Sequence, residues 1–215
     1  VERFGEFLPP FLDCLIREIE YTGALLKRSG WHIRSLYIGG GTPTALTCAQ
    51  LDRVIGTALE CFPGAREFTV EAGRPDTLDD EKLRMLRAHG VDRVSLNPQT
   101  MDDGVLAAIG RKHTAEDVKR AFALAKTFEF DSINMDLISG LPGDNMEKFR
   151  KTVAEIIALD PDNITLHTLT VKHGANLAPM AQSVFAATAD AMNEYAYGEF
   201  AKAGYFPYYL YRQKG

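Results

Sequence analysis

Polar residues able to bind or react recur where short apolar runs give out. Leu36-Tyr37-Ile38 stops at Gly39-Gly40-Gly41-Thr42, and Phe68-Thr69-Val70 stops at Glu71. Val94-Ser95-Leu96 leads to Gln99, Ile133-Asn134-Met135 to Asp136, and Ile164-Thr165-Leu166 to the stretch from Thr168 to Thr170; Arg111 follows Gln99 on a later loop. Successive glycines let backbone N–H and C=O groups come within hydrogen-bonding reach of a small polar ligand, because no Cβ holds it off. The plainer reading of Gly39 to Gly41 is a tight strand-to-helix turn.

Asp136 is the most informative of these residues, because its neighbours Ile133, Met135, Leu137 and Ile138 all read as buried. An unpaired carboxylate there is costly, so it must accept hydrogen bonds or face a cation. A ligand ribose hydroxyl would serve, and so would a structural pair with Arg111 or a helix terminus. Glu71 can hold a ligand ammonium group or bridge to Arg74. Arg111 can clamp a carboxylate with two parallel N–H bonds or stand as a solvated loop charge in Arg111-Lys112-His113. Gln99 can bridge ligand polar atoms or satisfy loop backbone. Together these residues form a set of donors and acceptors at the carboxyl ends of successive strands, where parallel α/β architectures place their ligands.

The elements that must position them follow from spacing. Apolar residues at helical intervals from Phe7 to Leu26, with Pro9 and Pro10 near the start, predict a long helix before the first strand. Thr47-Cys48-Ala49-Gln50 reads as a capping box for a helix through Leu51, Val54, Ile55 and Ala58. Thr77 is expected to cap a helix with Leu83 and Leu86 that Gly90 closes. Thr114 is expected to cap one through Val118, Ala121 and Phe122, and Asp144 or Asn145 to start one with Phe149, Val153 and Ile156. Asn163 to Leu169 reads as a further strand, residues 179–202 as a helix, and Tyr205 to Tyr211 as an aromatic strand. Strands alternating with helices imply right-handed crossovers and a parallel sheet. Without a low-complexity linker, residues 1–215 read as one domain.

The 215 residues, 46% apolar and 25% charged, supply an ordinary globular core. A net charge of −5 with the two signs interspersed lacks the basic face that nucleic-acid binding needs. No apolar run approaches the roughly 20 residues that span a bilayer. Val1-Glu2-Arg3-Phe4 has no signal-peptide pattern, so a cytoplasmic setting is the default expectation. Cys14, Cys48 and Cys61 are odd in number and widely spaced, which suggests neither a disulfide framework nor a closed metal site. Cys14 and Cys61, set among Leu and Ile, read as small buried hydrophobes.

Read together, Gly39-Gly40-Gly41-Thr42-Pro43-Thr44, Glu71 with Arg74-Pro75, Gln99, Ile109-Gly110-Arg111, Asp136-Leu137-Ile138-Ser139-Gly140-Leu141-Pro142-Gly143 and Leu159-Asp160-Pro161-Asp162 resemble a known family. It is the radical S-adenosylmethionine (SAM) enzymes of the oxygen-independent coproporphyrinogen III oxidase type, over about Phe7 to Leu169. Ser95-Leu96-Asn97-Pro98-Gln99 and Tyr208-Tyr209-Leu210-Tyr211-Arg212-Gln213-Lys214 look most like the HemZ-type branch rather than the main HemN type. The resemblance implies an α/β fold, a partial (β/α)6 TIM-like barrel of radical SAM type, binding SAM beside a four-iron four-sulfur cluster. By motif, Gly40, Gly41 and Thr42 would meet the methionine amino group, with Glu71 assisting. Arg111 would pair with the methionine carboxylate, Gln99 and Asp136 would meet the ribose, and the backbone around Thr170 the adenine. Reductive cleavage of SAM would give a 5′-deoxyadenosyl radical that abstracts hydrogen from propionate side chains of coproporphyrinogen III, leading to decarboxylation and vinyl groups. A porphyrinogen substrate and an electron donor protein are the partners so implied; a haem-binding chaperone role is the alternative within the same superfamily.

The chain departs from the family pattern in one respect that bears on chemistry. The family's cluster motif, C-x-x-x-C-x-x-C, lies on the loop after the first barrel strand, and no such spacing occurs between Val1 and Gly215. The expectation is a fragment with the first strand and cluster loop upstream of Val1, inactive alone. Asn97-Pro98 also stands where the main branch has Gly-Val. A phosphosugar-type barrel enzyme is disfavoured, since barrel phosphate sites use the last strands rather than an early glycine loop.

Overall fold

The computed structural model describes residues 5–169 and 182–209. Its elements are α1 (Leu8–Arg28), β1 (Ser35–Ile38), α2 (Cys48–Cys61), β2 (Glu67–Gly73), α3 (Asp80–Ala88), β3 (Arg93–Gln99), α4 (Asp103–Ala108), α5 (Ala115–Lys126), β4 (Ser132–Ser139), α6 (Met146–Leu159), β5 (Asn163–Thr168) and α7 (Gln182–Lys202). The five strands form one sheet in the order β1-β2-β3-β4-β5, with parallel pairing shown at β1–β2 and β4–β5. A spatial order that follows chain order is the winding of a (β/α) barrel wall; a doubly wound sheet would reverse at a switch point. The α/β expectation and its parallel sheet are therefore observed.

The chain divides into two compact units, Val1–Ser95 with Ala123–Ser132, and Leu96–Phe122 with Ile133–Gly215. In the first, Leu12 and Ile16 of α1 pack with Val54 of α2, and Leu8, Leu15, Ile19 and Leu46 close around them. Gly23 permits the close crossing of these helices: a Cβ there would stand 2.7 Å from the Cβ of Cys61. Each buried Leu, Ile or Val contributes about 1.5–3 kcal/mol over its exposed state. In the second unit Met135 and Leu137 of β4 and Phe149, Val153 and Ile156 of α6 are fully buried.

Aspartates just ahead of strands pin the register. Asp92, before β3, accepts from the Phe68 N–H at 2.9 Å, and Asp162, before β5, accepts from the Ile133 N–H at 2.8 Å. Each fixes the second residue of a strand, and with a side-chain period of two a slip would turn every inward group outward.

Helix starts mostly match the expectation. Thr47 and Gln50 form the capping box, Asn145 accepts from the Lys148 N–H, and Thr114 exchanges bonds with Asp117 across the first turn of α5. The cap of α3, however, is Asp79, whose carboxylate accepts from the Lys82 N–H at 2.8 Å. Thr77 instead lies in a short 3-10 turn, where its hydroxyl donates to Arg74 O. Cys14 is exposed, since it lies on the opposite side of α1 from Leu12 and Ile16, and Cys61 is only half-buried. The described part of the expected aromatic strand, residues 205–209, has no strand structure. Tyr205 is tied by its hydroxyl to Pro161 O, and burial, with Asp160 and Asp162 nearby, pushes its pKa up to about 12. Phe206, Tyr208 and Tyr209 are exposed. The remainder of that segment, and Pro179 at the expected start of α7, lie outside the described residues.

Candidate functional site

In the first unit the parallel register sets Tyr37 beside Thr69 and Ile38 beside Val70, which brings Gly39 level with Glu71. Tyr37 donates its hydroxyl hydrogen to Glu71 Oε1 at 2.8 Å, across the front of Gly39. A Cβ at Gly39 would fall 2.5 Å from Tyr37 Cε1 and 2.9 Å from Glu71 Oε1, so the pair exists only because residue 39 has no side chain. Arg74 turns to Asp76, which accepts from its guanidinium in a two-pronged contact. Gly40 has φ +114°, and no atom lies within 4 Å of the Cβ position of Gly40 or Gly41. The loop is open where it was expected to meet a ligand.

What fixes that loop is a clasp built on the motif's own Thr44. Thr44, fully buried, donates to Ala72 O at 2.9 Å and lies 2.7 Å from the Thr77 hydroxyl. Gly73, at φ +44°, closes the strand against Thr42: a Cβ there would meet Thr42 Cγ2 at 2.9 Å. The glycine loop is thus stitched to the end of β2 while its backbone stays accessible.

In the second unit Gln99 ends β3 with φ 68°, a left-handed conformation that costs a non-glycine residue roughly 1–2 kcal/mol. It is 6% exposed, and its Oε1 is buried without a hydrogen-bond partner. Strain and an unsatisfied buried acceptor on one residue point from structure to ligand. Arg111 is half-buried on the loop between α4 and α5, where its N–H closes α4 onto Leu106 O.

Asp136 sits inside β4 rather than at its end. Register pairs it with Thr165, while Ser139 is the residue level with Thr168, so Asp136 and Thr168 are three residues apart along the strands. Burial alternates along β4: Ile133, Met135 and Leu137 face the core, whereas Asn134, Asp136 and Ile138 share the half-buried face. Ile138, expected to be buried, is therefore on the open side. Asp136 Oδ1 accepts from Asn134 Nδ2 at 2.6 Å, and Asn134 Oδ1 accepts from Asn163 Nδ2 at 2.6 Å and the Thr165 hydroxyl at 2.8 Å. His167 Nε2 stands 4.0 Å from Asp136 Oδ2. Sequence reasoning missed Asn134, Asn163, Thr165 and His167, although polar residues at every second position of two successive strands carried the signal. Thr168 is held by α7 through Asn193 Nδ2 at 2.8 Å; Thr170 lies outside the described residues.

Two carboxylates on the loops after β3 and β4 titrate in opposite directions. Asp102 is pushed up by burial, but the Val105 N–H and the Lys148 ammonium, 3.3 Å away, outweigh this and hold it below its ordinary value. Asp144 is raised, by burial first and by the Asp102 charge, and its Oδ2 is buried without a hydrogen-bond partner.

The family model of the Radical SAM superfamily matches residues 15–156. This chain belongs to the radical SAM superfamily. It is 39% identical over 210 residues to the oxygen-independent coproporphyrinogen-III oxidase-like protein HemZ of Bacillus subtilis, covering 95% of this chain and 42% of that one. It is 32% identical to the heme chaperone HemW of the same organism, covering 90% of this chain and 56% of HemW. Among solved structures, coproporphyrinogen III oxidase (HemN) from Escherichia coli, a radical SAM enzyme, matches with a TM-score of 0.77 and 26% identity, over 92% of this chain and 46% of that one. The chain thus spans about half the length of these relatives.

Radical SAM membership implies SAM and a 4Fe–4S cluster. The residues present fit the first. Within the first unit the open backbone at Gly40 and Gly41 suits a polar group, and within the second the partnerless Gln99 Oε1 suits a donor. They do not fit the second: among the described residues no group of three or more His, Cys, Asp or Glu is placed to hold a metal ion. Cys48 and Cys61 are the first and last residues of α2, about 20 Å apart at 1.5 Å per residue, and Cys14 is exposed on α1. No helix among the described residues is long and apolar enough to cross a membrane.

Proposed function

We propose that this chain is the SAM-binding core of a radical SAM oxidoreductase acting on a porphyrinogen, the oxygen-independent decarboxylation of coproporphyrinogen III propionates to vinyl groups. SAM, when bound, supplies the radical chemistry that gives the superfamily its name. The chain's own residues bind and orient it. Backbone at Gly40, Gly41 and Thr42 takes the methionine amino group, with Glu71, steadied by Tyr37, as a nearby anion. Arg111 takes the methionine carboxylate by charge-assisted bonds. Gln99 and Asp136 take the ribose, and backbone around Thr170 the adenine.

The observation that supports the binding role most directly is Gln99, held in a left-handed backbone with a buried acceptor, Oε1, that a hydroxyl donor would satisfy. The porphyrinogen part rests on the names of the relatives. The 32% identity to HemW favours a second reading, a haem-binding chaperone. Anaerobic assay of the full-length protein separates them: vinyl-bearing product from coproporphyrinogen III is expected, whereas stoichiometric tight haem binding without turnover selects the chaperone. For the site, Asp136→Ala is expected to weaken SAM about tenfold or more by calorimetry, the loss of a charged hydrogen bond; unchanged affinity would leave Asp136 a structural residue.

A further inference from the structure

The left-handed turn at Gln99 does not hold itself. A non-glycine residue at φ 68° relaxes toward negative φ unless the chain after it is fixed. An extended φ there would carry Thr100 and Met101 onward along the line of β3. One side chain on α6 stands in the way of that relaxation.

Thr152 shares the buried side of α6 with Phe149, Val153 and Ile156, and is itself 1% exposed. A hydroxyl among hydrocarbon is costly without a partner. Thr152 finds two, both on the segment just past Gln99. Its Oγ1 accepts from the Met101 N–H at 3.0 Å and stands 3.1 Å from the hydroxyl of Thr100, which is also 1% exposed. Thr100 Oγ1 in turn accepts from the Asp102 N–H at 3.2 Å, and Asp102 caps α4 by accepting from the Val105 N–H at 2.9 Å. Residues 100–102 are thus tied at each step, and two of the ties end on Thr152. Both sides of the clamp belong to the second unit, so its geometry is set within one compact body.

We propose that Thr152 is a positioning residue for ligand binding: by gripping Thr100 and Met101 it keeps Gln99 in the turn that places Oε1 for the ribose. This rests on the SAM-binding reading and names what holds one of its contacts in place. Thr152 itself touches no ligand in this account. Its whole effect on affinity passes through Gln99, and that separates it from a residue that merely stabilises α6.

The test measures S-adenosylhomocysteine binding to the full-length protein by calorimetry, without turnover. Thr152→Val keeps the branched shape and removes the hydroxyl; it is expected to weaken binding about three- to tenfold, the range of a single neutral hydrogen bond. Thr152→Ser keeps the hydroxyl and should hold the parent affinity. In a Gln99→Ala background, itself weakened by a similar factor, Thr152→Val should cause no further loss, because the residue it acts through is gone. Amide exchange of the unaltered protein gives a reading free of substitution: S-adenosylhomocysteine should slow the Met101 N–H more than the Ile133 N–H, which Asp162 holds in the same unit outside the clamp. Parent affinity in Thr152→Val, an equal loss in both backgrounds, a loss in Thr152→Ser as large as in Thr152→Val, or equal slowing of the two amides would overturn the role of Thr152 while SAM binding stands. Parent affinity in Gln99→Ala would overturn the ribose contact, and absence of any binding to the unaltered protein the SAM reading itself, each taking this inference with it.

Discussion

The first unit prepares its strand ends by leaving side chains out, and the second by linking side chains together. Around β1 and β2, Gly39 makes room for the Tyr37–Glu71 bond, and Gly40 and Gly41 leave open ground. Around β4 and β5, donors run from Thr165 and Asn163 through Asn134 to Asp136. The lesson concerns failure. A region built on empty volume is damaged by adding atoms, whereas a region built on a relay is damaged by taking them away.

Substitutions of either kind should expose this asymmetry. Gly73→Val adds a branched side chain at φ +44° against Thr42, and should cost about 2–3 kcal/mol in denaturant unfolding. A value near zero would break the view that the loop is clasped tightly. Asn134→Ala takes away both the donor to Asp136 and the acceptor shared by Asn163 and Thr165, and should cost about 1–2 kcal/mol. Asp102→Ala removes the cap of α4 and should cost about 1 kcal/mol. Gly41→Ala sharpens the contrast most. With no atom near its Cβ position and no left-handed backbone, it should leave stability within about 0.5 kcal/mol of the parent. SAM affinity should nevertheless fall if Gly41 meets the ligand as proposed, because the new methyl would stand in that open space.

Acid and base affect the second unit through two neighbouring carboxylates whose pKa shifts run in opposite directions. Asp102 has its folded pKa lowered, so its stabilisation is present above the unfolded value and lost as pH falls through the folded one. Asp144 has its folded pKa raised, so its stabilisation is complete below the unfolded value and lost as pH rises through the folded one. Asp144→Asn should therefore give a small gain in melting temperature near neutral pH that disappears in acid, and thermal melts at both ends of that range check it.

Much of this was legible from residue order. Periodicity and glycine punctuation located β1 to β5 and the longer helices α1, α2, α3, α5, α6 and α7, and the capping box at Thr47 and Gln50 is present. Local chemistry misled where a side chain had a choice of partners. Thr77 reads as a cap, but its hydroxyl bonds with Arg74 O and Thr44, and Asp79, with a charged acceptor, takes α3. Alternating aromatics from Tyr205 read as a strand, yet pattern alone supplies no neighbour to pair with. The relay through Asn134 depends on a register between β4 and β5 that Asp162 pins from outside both runs. Cys14 was misplaced because two apolar neighbours in sequence, Leu12 and Ile16, point away from it on a helix.

Gln99 carries a consequence for anyone improving the protein by selection. A glycine would occupy its left-handed backbone at ease and discard the lone buried oxygen, so a library ranked on heat tolerance alone will enrich Gln99→Gly. If Gln99 meets the ribose as proposed, the winners of such a contest will be sturdier and weaker in recognition, and the two rankings will run in opposite directions at this one position.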